Sequence, residues 1–261
     1  MPEHRARRRF SQNFLIDRNY TARIVRAISV SEADHVVEIG PGFGALTAPL
    51  LAGAKRVDVI EIDRDAVRLL QERFPDQRLS IHCADFLEFN LCALGSDLRL
   101  VGNLPYHISS PILFAVDASR GCVQDCHFML QKEVVDRMIA APASADYGRL
   151  SVMLQCRWQM QKLFDVPPTV FRPQPKVWSS VVRMRPEQRA VIADPDVFYR
   201  VVEASFSQRR KTLRNALRGL AADEDFKATG IDPGRRGETL SVADFAALAN
   251  QLHAGLSASS G

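Results

Sequence analysis

The chain has no apolar run that approaches the ~18 residues needed by a membrane-spanning helix. Its charges nearly balance, with 34 Lys and Arg against 30 Asp and Glu and a formal net charge of +4. Apolar residues make up 46% of the 261 residues, which excludes a disordered or collagen-like chain. No apolar segment follows the basic start at residues 5–9, so no secretory signal is predicted. We therefore expect a cytoplasmic protein without a membrane anchor and with one or two domains.

Cysteines are few, and their number is odd. They are Cys83, Cys92, Cys122, Cys126 and Cys156. The spacings match no disulfide framework, and the Cys122–Cys126 pair beside His127 lacks the second ligand pair of a zinc site. We expect reduced thiols in the core and no metal.

The first 130 residues alternate between strand-like and helix-like runs. Strands are predicted at residues 35–39, 56–61, 79–82 and 98–101, and helices at 45–51 and 65–74. This rhythm predicts an α/β fold with a parallel, doubly wound sheet. In such a sheet, ligands bind at the carboxyl ends of the strands.

The second half of the chain changes character twice. From Trp158 to Met184, strand-like runs alternate with prolines. After Pro186, helical spacing appears at residues 196–206, 211–220 and 241–253. The pattern predicts one domain over residues 1–186 and a small all-helical domain over residues 187–261.

Acidic residues follow a glycine-rich turn at the expected sheet edge. Gly40, Gly42 and Gly44 match neither a dinucleotide fingerprint nor a P-loop, and glycines at such turns also serve packing alone. Glu61 ends the next strand, 21 residues after Gly40, where a carboxylate is placed to hold a ribose diol. Asp85, past the third strand, is placed to accept from an adenine amine or, alternatively, to bond its own turn.

The segment Asn103-Leu104-Pro105-Tyr106 ends the fourth strand at the same edge. Its residue types suit methyl transfer to an exocyclic amine, whose lone pair is delocalised into the ring. The Asn103 oxygen and a main-chain carbonyl near Leu104 are placed to accept the two N–H groups and free the lone pair. Tyr106 offers a ring face for the base. The alternative is a strand-end turn beside a core tyrosine.

These motifs belong to an ordered set of nine that runs from residue 10 to residue 212. Its members are residues 10–15 (FSQNFL), 38–42 (EIGPG), 59–64 (VIEIDR), 103–106 (NLPY), 129–134 (MLQKEV), 147–152 (YGRLSV), 166–168 (VPP), 171–177 (FRPQPKV) and 206–212 (FSQRRKT). The set resembles the ribosomal RNA adenine N6-dimethyltransferase family, and most closely its bacterial small-subunit (16S) branch. Ser11 and Trp178 depart from the family pattern at positions away from the expected chemistry.

The resemblance implies a Rossmann-like, S-adenosylmethionine-dependent methyltransferase. The family's small-subunit members dimethylate N6 of two adjacent adenosines in the 3′-terminal hairpin loop of 16S rRNA. The expected partner is the rRNA within a small-subunit (30S) particle, and the protein is expected to be a monomer.

The resemblance also assigns roles to individual residues. Asn13 and Leu15 would contact the cofactor from an N-terminal arm. Gly40 would contact it through its backbone, Glu61 would hold the ribose, and Asp85 would bind the adenine. Asn103 and Leu104 would serve the target amine, Asn103 also facing the cofactor. Tyr106 and Phe171, the latter in an exposed-looking loop, would sandwich the target base.

Basic residues form a local patch at the start of the predicted helical domain. The cluster comprises Arg209, Arg210, Lys211, Arg214 and Arg218. Such a patch is typical of phosphate binding, so we expect it to bind RNA; the alternative is a solvated helix face. A further group of arginines lies at residues 5–9.

Three other functions remain open from the sequence. One is the related large-subunit rRNA enzyme that confers macrolide resistance. Another is a non-catalytic assembly or transcription factor that keeps the fold. The third is a DNA amino-methyltransferase, although that class usually has a different target-reading domain.

Overall fold

The structure is a computed structural model that describes residues 13–208 and 210–259. Its main element is a seven-stranded sheet with the order β4-β3-β2-β5-β6-β9-β7. A two-stranded pair, β1 with β8, lies apart from it. The strands are β1 (Phe14–Leu15), β2 (His35–Ile39), β3 (Arg56–Glu61), β4 (Leu79–Cys83), β5 (Leu98–Asn103), β6 (Val123–Gln131), β7 (Trp158–Val166), β8 (Phe171–Arg172) and β9 (Ser179–Pro186).

Strands β2 to β6 pair in parallel, and β9 pairs antiparallel with β6. The chain runs outward from β2 through β3 to β4 and then returns to the other side of β2 at β5. The direction of winding therefore reverses between β2 and β5, and the crevice at their carboxyl ends is the expected ligand site. The predicted doubly wound α/β fold is confirmed.

Helices connect these strands and fill the second half of the chain. They are α1 (Arg18–Ile28), α2 (Thr47–Gly53), α3 (Arg64–Arg73), α4 (Ser109–Ala118), α5 (Lys132–Ile139), α6 (Arg149–Gln155), α7 (Pro195–Ser207), α8 (Leu213–Ala216), α9 (Asp223–Thr229) and α10 (Val242–Ser259). The helix predicted over residues 211–220 is shortened to the single turn α8, and the final helix continues beyond residue 253. No helix of the described residues is long and apolar enough to cross a membrane.

The chain divides into two compact units. The first contains residues 13–135 and 161–186, and the second contains residues 136–160 and 187–259. Tyr147 explains why the earlier segment belongs to the second unit. Its side chain is fully buried, its hydroxyl donates to the Leu240 carbonyl over 2.9 Å, and its ring meets Phe206 edge-on. Nothing in the sequence indicated that residues 136–160 pack with the later helices.

The prediction of five reduced core thiols is wrong. Cys92 and Cys122 form a disulfide, because two short 3₁₀ turns bring their Cα atoms to 5.5 Å. Cys83 is a free thiol but is exposed, whereas Cys126 and Cys156 are free and buried. The two cysteines are 30 positions apart, so nothing in the sequence indicated their proximity.

A buried arginine joins three elements at the amino ends of the strands. Arg99, at the start of β5, is 7% exposed. Its guanidinium donates two hydrogen bonds to Asp125 on β6, over 3.0 and 2.9 Å, and one to Asp34 before β2, over 2.7 Å. It also donates to the Ile28 and Ser29 carbonyls at the end of α1. One side chain thereby fixes α1 against the sheet.

Replacing Arg99 by Met should lower the free energy of unfolding by ~3–5 kcal/mol, because the buried Asp125 carboxylate and the partly buried Asp34 carboxylate lose their cation. Urea denaturation measures this change. The matched control is Arg56→Met, since Arg56 is about half exposed and its partner Asp58 also bonds two histidines. The control should cost ~1 kcal/mol or less. Equal losses in the two variants would contradict the role given to Arg99.

Candidate active site

The glycine turn after β2 leaves open space at the carboxyl edge of the sheet. Gly40 has φ +65, a conformation that favours glycine, and a Cβ atom there would meet nothing within 4 Å. A Cβ atom on Gly42 would lie only 2.9 Å from the Phe14 ring. Gly40 therefore forms a cradle that a ligand can approach closely, whereas Gly42 allows the N-terminal arm to pack on the turn.

A cavity of about 510 Å³ lies between this turn, the N-terminal arm and the end of β5. Its volume is within the usual range for small-molecule sites. The cavity brings together six of the predicted site residues. They are Asn13, Leu15, Gly40, Asn103, Leu104 and Tyr106.

Asn103 is held in one orientation by the arm. Its side-chain nitrogen donates to the Asn13 main-chain carbonyl over 2.8 Å. The amide nitrogen is therefore engaged, and the oxygen is the atom of this amide that remains to accept from a ligand. The main chain that follows is also fixed, because the Leu104 N–H donates to the Met129 carbonyl over 3.1 Å.

Tyr106 is anchored by a residue that sequence reasoning did not identify. Its hydroxyl is hydrogen-bonded to the Ser179 hydroxyl over 2.7 Å, and Ser179 is fully buried on β9. Burial raises the pKa of the Tyr106 phenol, although the Ser179 hydrogen bond opposes this. The ring is therefore a neutral, positioned surface at the cavity wall. No local sequence signal connects two residues that are 73 positions apart.

Glu61 braces the glycine turn. Its carboxylate is 2% exposed and accepts hydrogen bonds from the N–H groups of Gly42, over 3.2 Å, and Asp63, over 2.9 Å. Burial raises its pKa against the effect of these hydrogen bonds. Each carboxylate oxygen has a second lone pair, so the group is still able to accept from a ribose diol. Glu61 does not line the open cavity, and the ribose contact stays a prediction.

Asp85 caps a short turn. Its Oδ1 atom accepts from the Leu87 N–H over 2.9 Å at the start of the 3₁₀ turn over residues 86–88. The side chain of Asp85 thus bonds its own turn, as the alternative interpretation predicted. Since β4 neighbours β3, Asp85 also lies past the same carboxyl edge as Glu61. Its contact with the cofactor adenine stays a prediction.

Glu38 lines the cavity and was not singled out from the sequence. It is 2% exposed and accepts a 2.5 Å hydrogen bond from the Thr47 hydroxyl. Burial raises the pKa of its carboxyl group to about 7, with a further contribution from nearby Glu61. An acidic residue within the largely apolar strand β2 was the available signal.

The expectation that Phe171 lies in an exposed loop is wrong. Phe171 is 1% exposed, because its strand β8 pairs with the arm strand β1 opposite Leu15. Its ring belongs to the hydrophobic core of the first unit. In this arrangement the ring presents no face to a base, so stacking at Phe171 would require β1 to move.

The basic cluster occupies the connection between α7 and α8. Arg209 lies outside the described residues. Arg210 and Lys211 are exposed. Arg214 is also exposed, but its guanidinium lies 3.2 Å from the carboxylate of Asp223. The cluster's net charge is therefore lower than the sequence alone indicated.

The side chains present are able to hold S-adenosylmethionine. Gly40 provides the open cradle, Glu61 ends the neighbouring strand with spare acceptor sites, and Glu38 places a carboxyl group at the wall. Carboxylates at these positions suit a ligand that carries both hydroxyl groups and positive charge. Among the described residues, no cluster of three or more acidic, histidine or cysteine side chains forms a metal site.

Comparison with known proteins agrees with this geometry. The ribosomal RNA adenine dimethylase family model matches residues 3–254. A ribosomal RNA small subunit methyltransferase A of Aromatoleum aromaticum is 55% identical over 257 residues, covering 97% of each chain. The protein of that name from Thiobacillus denitrificans is 53% identical over 251 residues, covering 95% of this chain and 98% of its own.

Solved structures show the same fold. A dimethyladenosine transferase from Plasmodium falciparum superimposes with a TM-score of 0.80 at 24% identity, covering 90% of this chain and 95% of its own. The 23S rRNA methyltransferase ErmE gives a TM-score of 0.70 at 24% identity, covering 92% and 100%. The expected Rossmann-like methyltransferase sheet with a helical C-terminal region is confirmed. The chain belongs to the ribosomal RNA adenine dimethylase family.

Proposed function

We propose that this enzyme transfers methyl groups from S-adenosylmethionine to N6 of two adjacent adenosines in the 3′-terminal hairpin loop of 16S rRNA. It acts as a monomer, in the cytoplasm, on RNA within a small-subunit (30S) particle. The two relatives that are 55% and 53% identical carry a small-subunit name, which supports this substrate.

The observation that carries the proposal is the orientation of Asn103. Because Asn13 engages its amide nitrogen, the Asn103 oxygen is available to accept an N–H group of the target amine. The Leu104 carbonyl is the second acceptor. Two accepted hydrogen bonds draw the amine out of conjugation with the ring and direct its lone pair.

S-adenosylmethionine, when bound, supplies a methyl group on a sulfonium that is already electrophilic. The protein's part is therefore to position and to stabilise charge rather than to activate a nucleophile with a general base. The acceptors at Asn103 and Leu104 interact more strongly as positive charge develops on the nitrogen. Tyr106, held by Ser179, offers its ring to the base. The proton lost from the nitrogen passes to water.

The decisive experiment offers two substrates to the protein. Labelled S-adenosylmethionine is incubated with small or large ribosomal subunits that lack adenine dimethylation, and the digested RNA is analysed for the methylated nucleoside. Dimethyladenosine in small subunits alone is expected. Methylation of large subunits would instead favour the related large-subunit rRNA enzyme. The likeness to ErmE supports that candidate only at the level of the fold. No methylation of either would favour a non-catalytic role.

Replacing Asn103 by Ala should lower the single-turnover rate by ~10²–10³, the range for loss of one preorganised electrostatic partner. Binding of the rRNA particle should barely change, since phosphate contacts supply most of that affinity. Asn90→Ala is the matched control, because Asn90 is exposed and does not line the cavity. A near wild-type rate in Asn103→Ala would eliminate the proposed role.

Glu38 should make cofactor affinity depend on pH. Its pKa is raised to about 7, so the carboxylate form that attracts a cationic ligand is lost as pH falls through 7. Calorimetry should show S-adenosylmethionine binding up to about tenfold weaker at pH 6 than at pH 8, since one pH unit below a pKa leaves roughly a tenth of the group charged. Glu38→Gln should flatten this dependence. The amine of S-adenosylmethionine also titrates. If Glu38→Gln keeps the full pH dependence of binding, that dependence belongs to the ligand's amine and not to Glu38.

The cluster of Arg209, Arg210, Lys211 and Arg214 is proposed to dock the rRNA. Changing the first three to Gln should weaken binding to small subunits and reduce the slope of log affinity against log salt by about 0.7–0.9 for each phosphate that the protein no longer neutralises. Cofactor affinity measured by calorimetry should not change. An unaltered salt slope would mean that the cluster is only a solvated surface.

A further inference from the structure

A second cavity lies at the opposite edge of the sheet from the glycine turn. It has a volume of about 360 Å³ and is lined by residues near the amino ends of β2, β5 and β6 and by two arginines of β9. Arg99 and Asn103 lie four residues apart on β5, which separates the two edges by ~13 Å. The cavity therefore takes no part in the methyl-transfer site.

One residue that lines this cavity, His127, has an imidazole without a hydrogen-bond partner in the part of the chain that the structure describes. His127 is 2% exposed, and neither ring nitrogen has a hydrogen-bond partner among the described residues. The nearest carboxylate oxygen, on Asp125, is 3.8 Å from Nδ1, which is too far for a hydrogen bond. Buried polar groups nearly always have a hydrogen-bond partner. We therefore expect a molecule small enough to enter the cavity to supply the partner that the His127 imidazole lacks.

The cavity's charge favours an anion. His127 stands opposite Arg183 in the pairing of β6 with β9, and Arg185 follows on the same face. Arg183 donates to the neutral Gln161 amide over 2.6 Å, so this contact does not cancel its charge. Arg185 is exposed and lies at the solvent side of the cavity.

The two carboxylates of the cavity share one guanidinium, that of Arg99. Both oxygens of Asp125 accept from Arg99, and Asp34 accepts from the same guanidinium over 2.7 Å. With His127 neutral, three arginines and two carboxylates leave one positive charge at the cavity. Guanidinium groups match the geometry of phosphate oxygens, and a neutral imidazole adds one N–H donor.

We propose that this cavity is a second binding site, distinct from the methyl-transfer site, that takes a phosphate group between Arg183, Arg185 and His127. The phosphate comes from a backbone phosphodiester of the rRNA or from a free phosphate or phosphorylated small molecule. The alternative is a cavity filled only by water, which would also satisfy the imidazole.

The test follows His127 directly in the whole protein. Histidine ring NMR is recorded during titration with inorganic phosphate at constant ionic strength, with chloride as the reference anion, and His127→Gln assigns the signal. A saturable shift of the His127 signal is expected in the wild type. Arg183→Gln and Arg185→Gln should each weaken phosphate binding by about tenfold or more, as for loss of a charge-assisted hydrogen bond. Arg200→Gln, an exposed arginine outside the cavity, should leave it unchanged.

The titration of His127 provides a second readout. Burial and the surrounding arginines lower its pKa to about 4, and only Asp125 opposes them. A bound anion should raise this pKa. The charged groups that face the imidazole are Arg99 on β5, Asp125 on its own strand, Arg183 and Arg185 on β9, and Asp34 before β2. A His127 pKa unaffected by saturating phosphate would contradict the proposal.

His127→Leu separates binding from folding. Replacing an unpaired buried polar group by an apolar one should not lower the melting temperature, yet phosphate should no longer raise it.

The binding of Arg185→Gln to small subunits then identifies the source of the phosphate. If Arg185→Gln binds small subunits more weakly, and free phosphate competes with the subunits for the wild type only, the site takes an rRNA phosphate. If Arg185→Gln binds small subunits as the wild type does, the site takes a free phosphate group. Absence of saturable phosphate binding in the wild type would overturn the proposal and leave a cavity that holds water.

Discussion

The arrangement of the first unit depends on the guanidinium of Arg99. A buried arginine is costly unless every donor is engaged, and here its donors reach the end of α1, the entry to β2 and the middle of the sheet. Helix α1 begins directly after the arm that lines the cavity at the carboxyl edge, with Asp17 capping its first turn. The interaction at one edge of the sheet therefore helps to place the arm at the other.

The two edges of the sheet have opposite electrostatic characters. The carboxyl edge places Glu38 at the wall of the cavity of about 510 Å³ and Glu61 at the end of the neighbouring strand, and burial raises the pKa of both. The amino edge combines arginines with an imidazole of lowered pKa. Glu38 and Glu61 lie near the carboxyl ends of β2 and β3, whereas Arg99 lies at the amino end of β5. The antiparallel strand β9 adds Arg183 and Arg185 to the amino edge.

Local pattern predicted much of this architecture. Strands β2 and β3 have their predicted bounds. A short apolar run that is followed by glycine or acidic residues is typical of a buried strand. The NLPY motif and the glycine turn likewise lie at one edge, as parallel winding requires. The burial of Phe171, the Ser179 contact and the Cys92–Cys122 bond were not predictable, because each depends on residues brought together only by folding.

The contact between Asn103 and the arm is made by the main chain of residue 13. No side-chain substitution at that position removes a peptide carbonyl, so alanine scanning would pass over this contact entirely. What controls the orientation of the amide is the path of the backbone, which the pairing of Phe14 and Leu15 with β8 sets. Changes in strand β8, which pairs with the arm, would therefore alter the orientation of the Asn103 amide through the backbone of the arm.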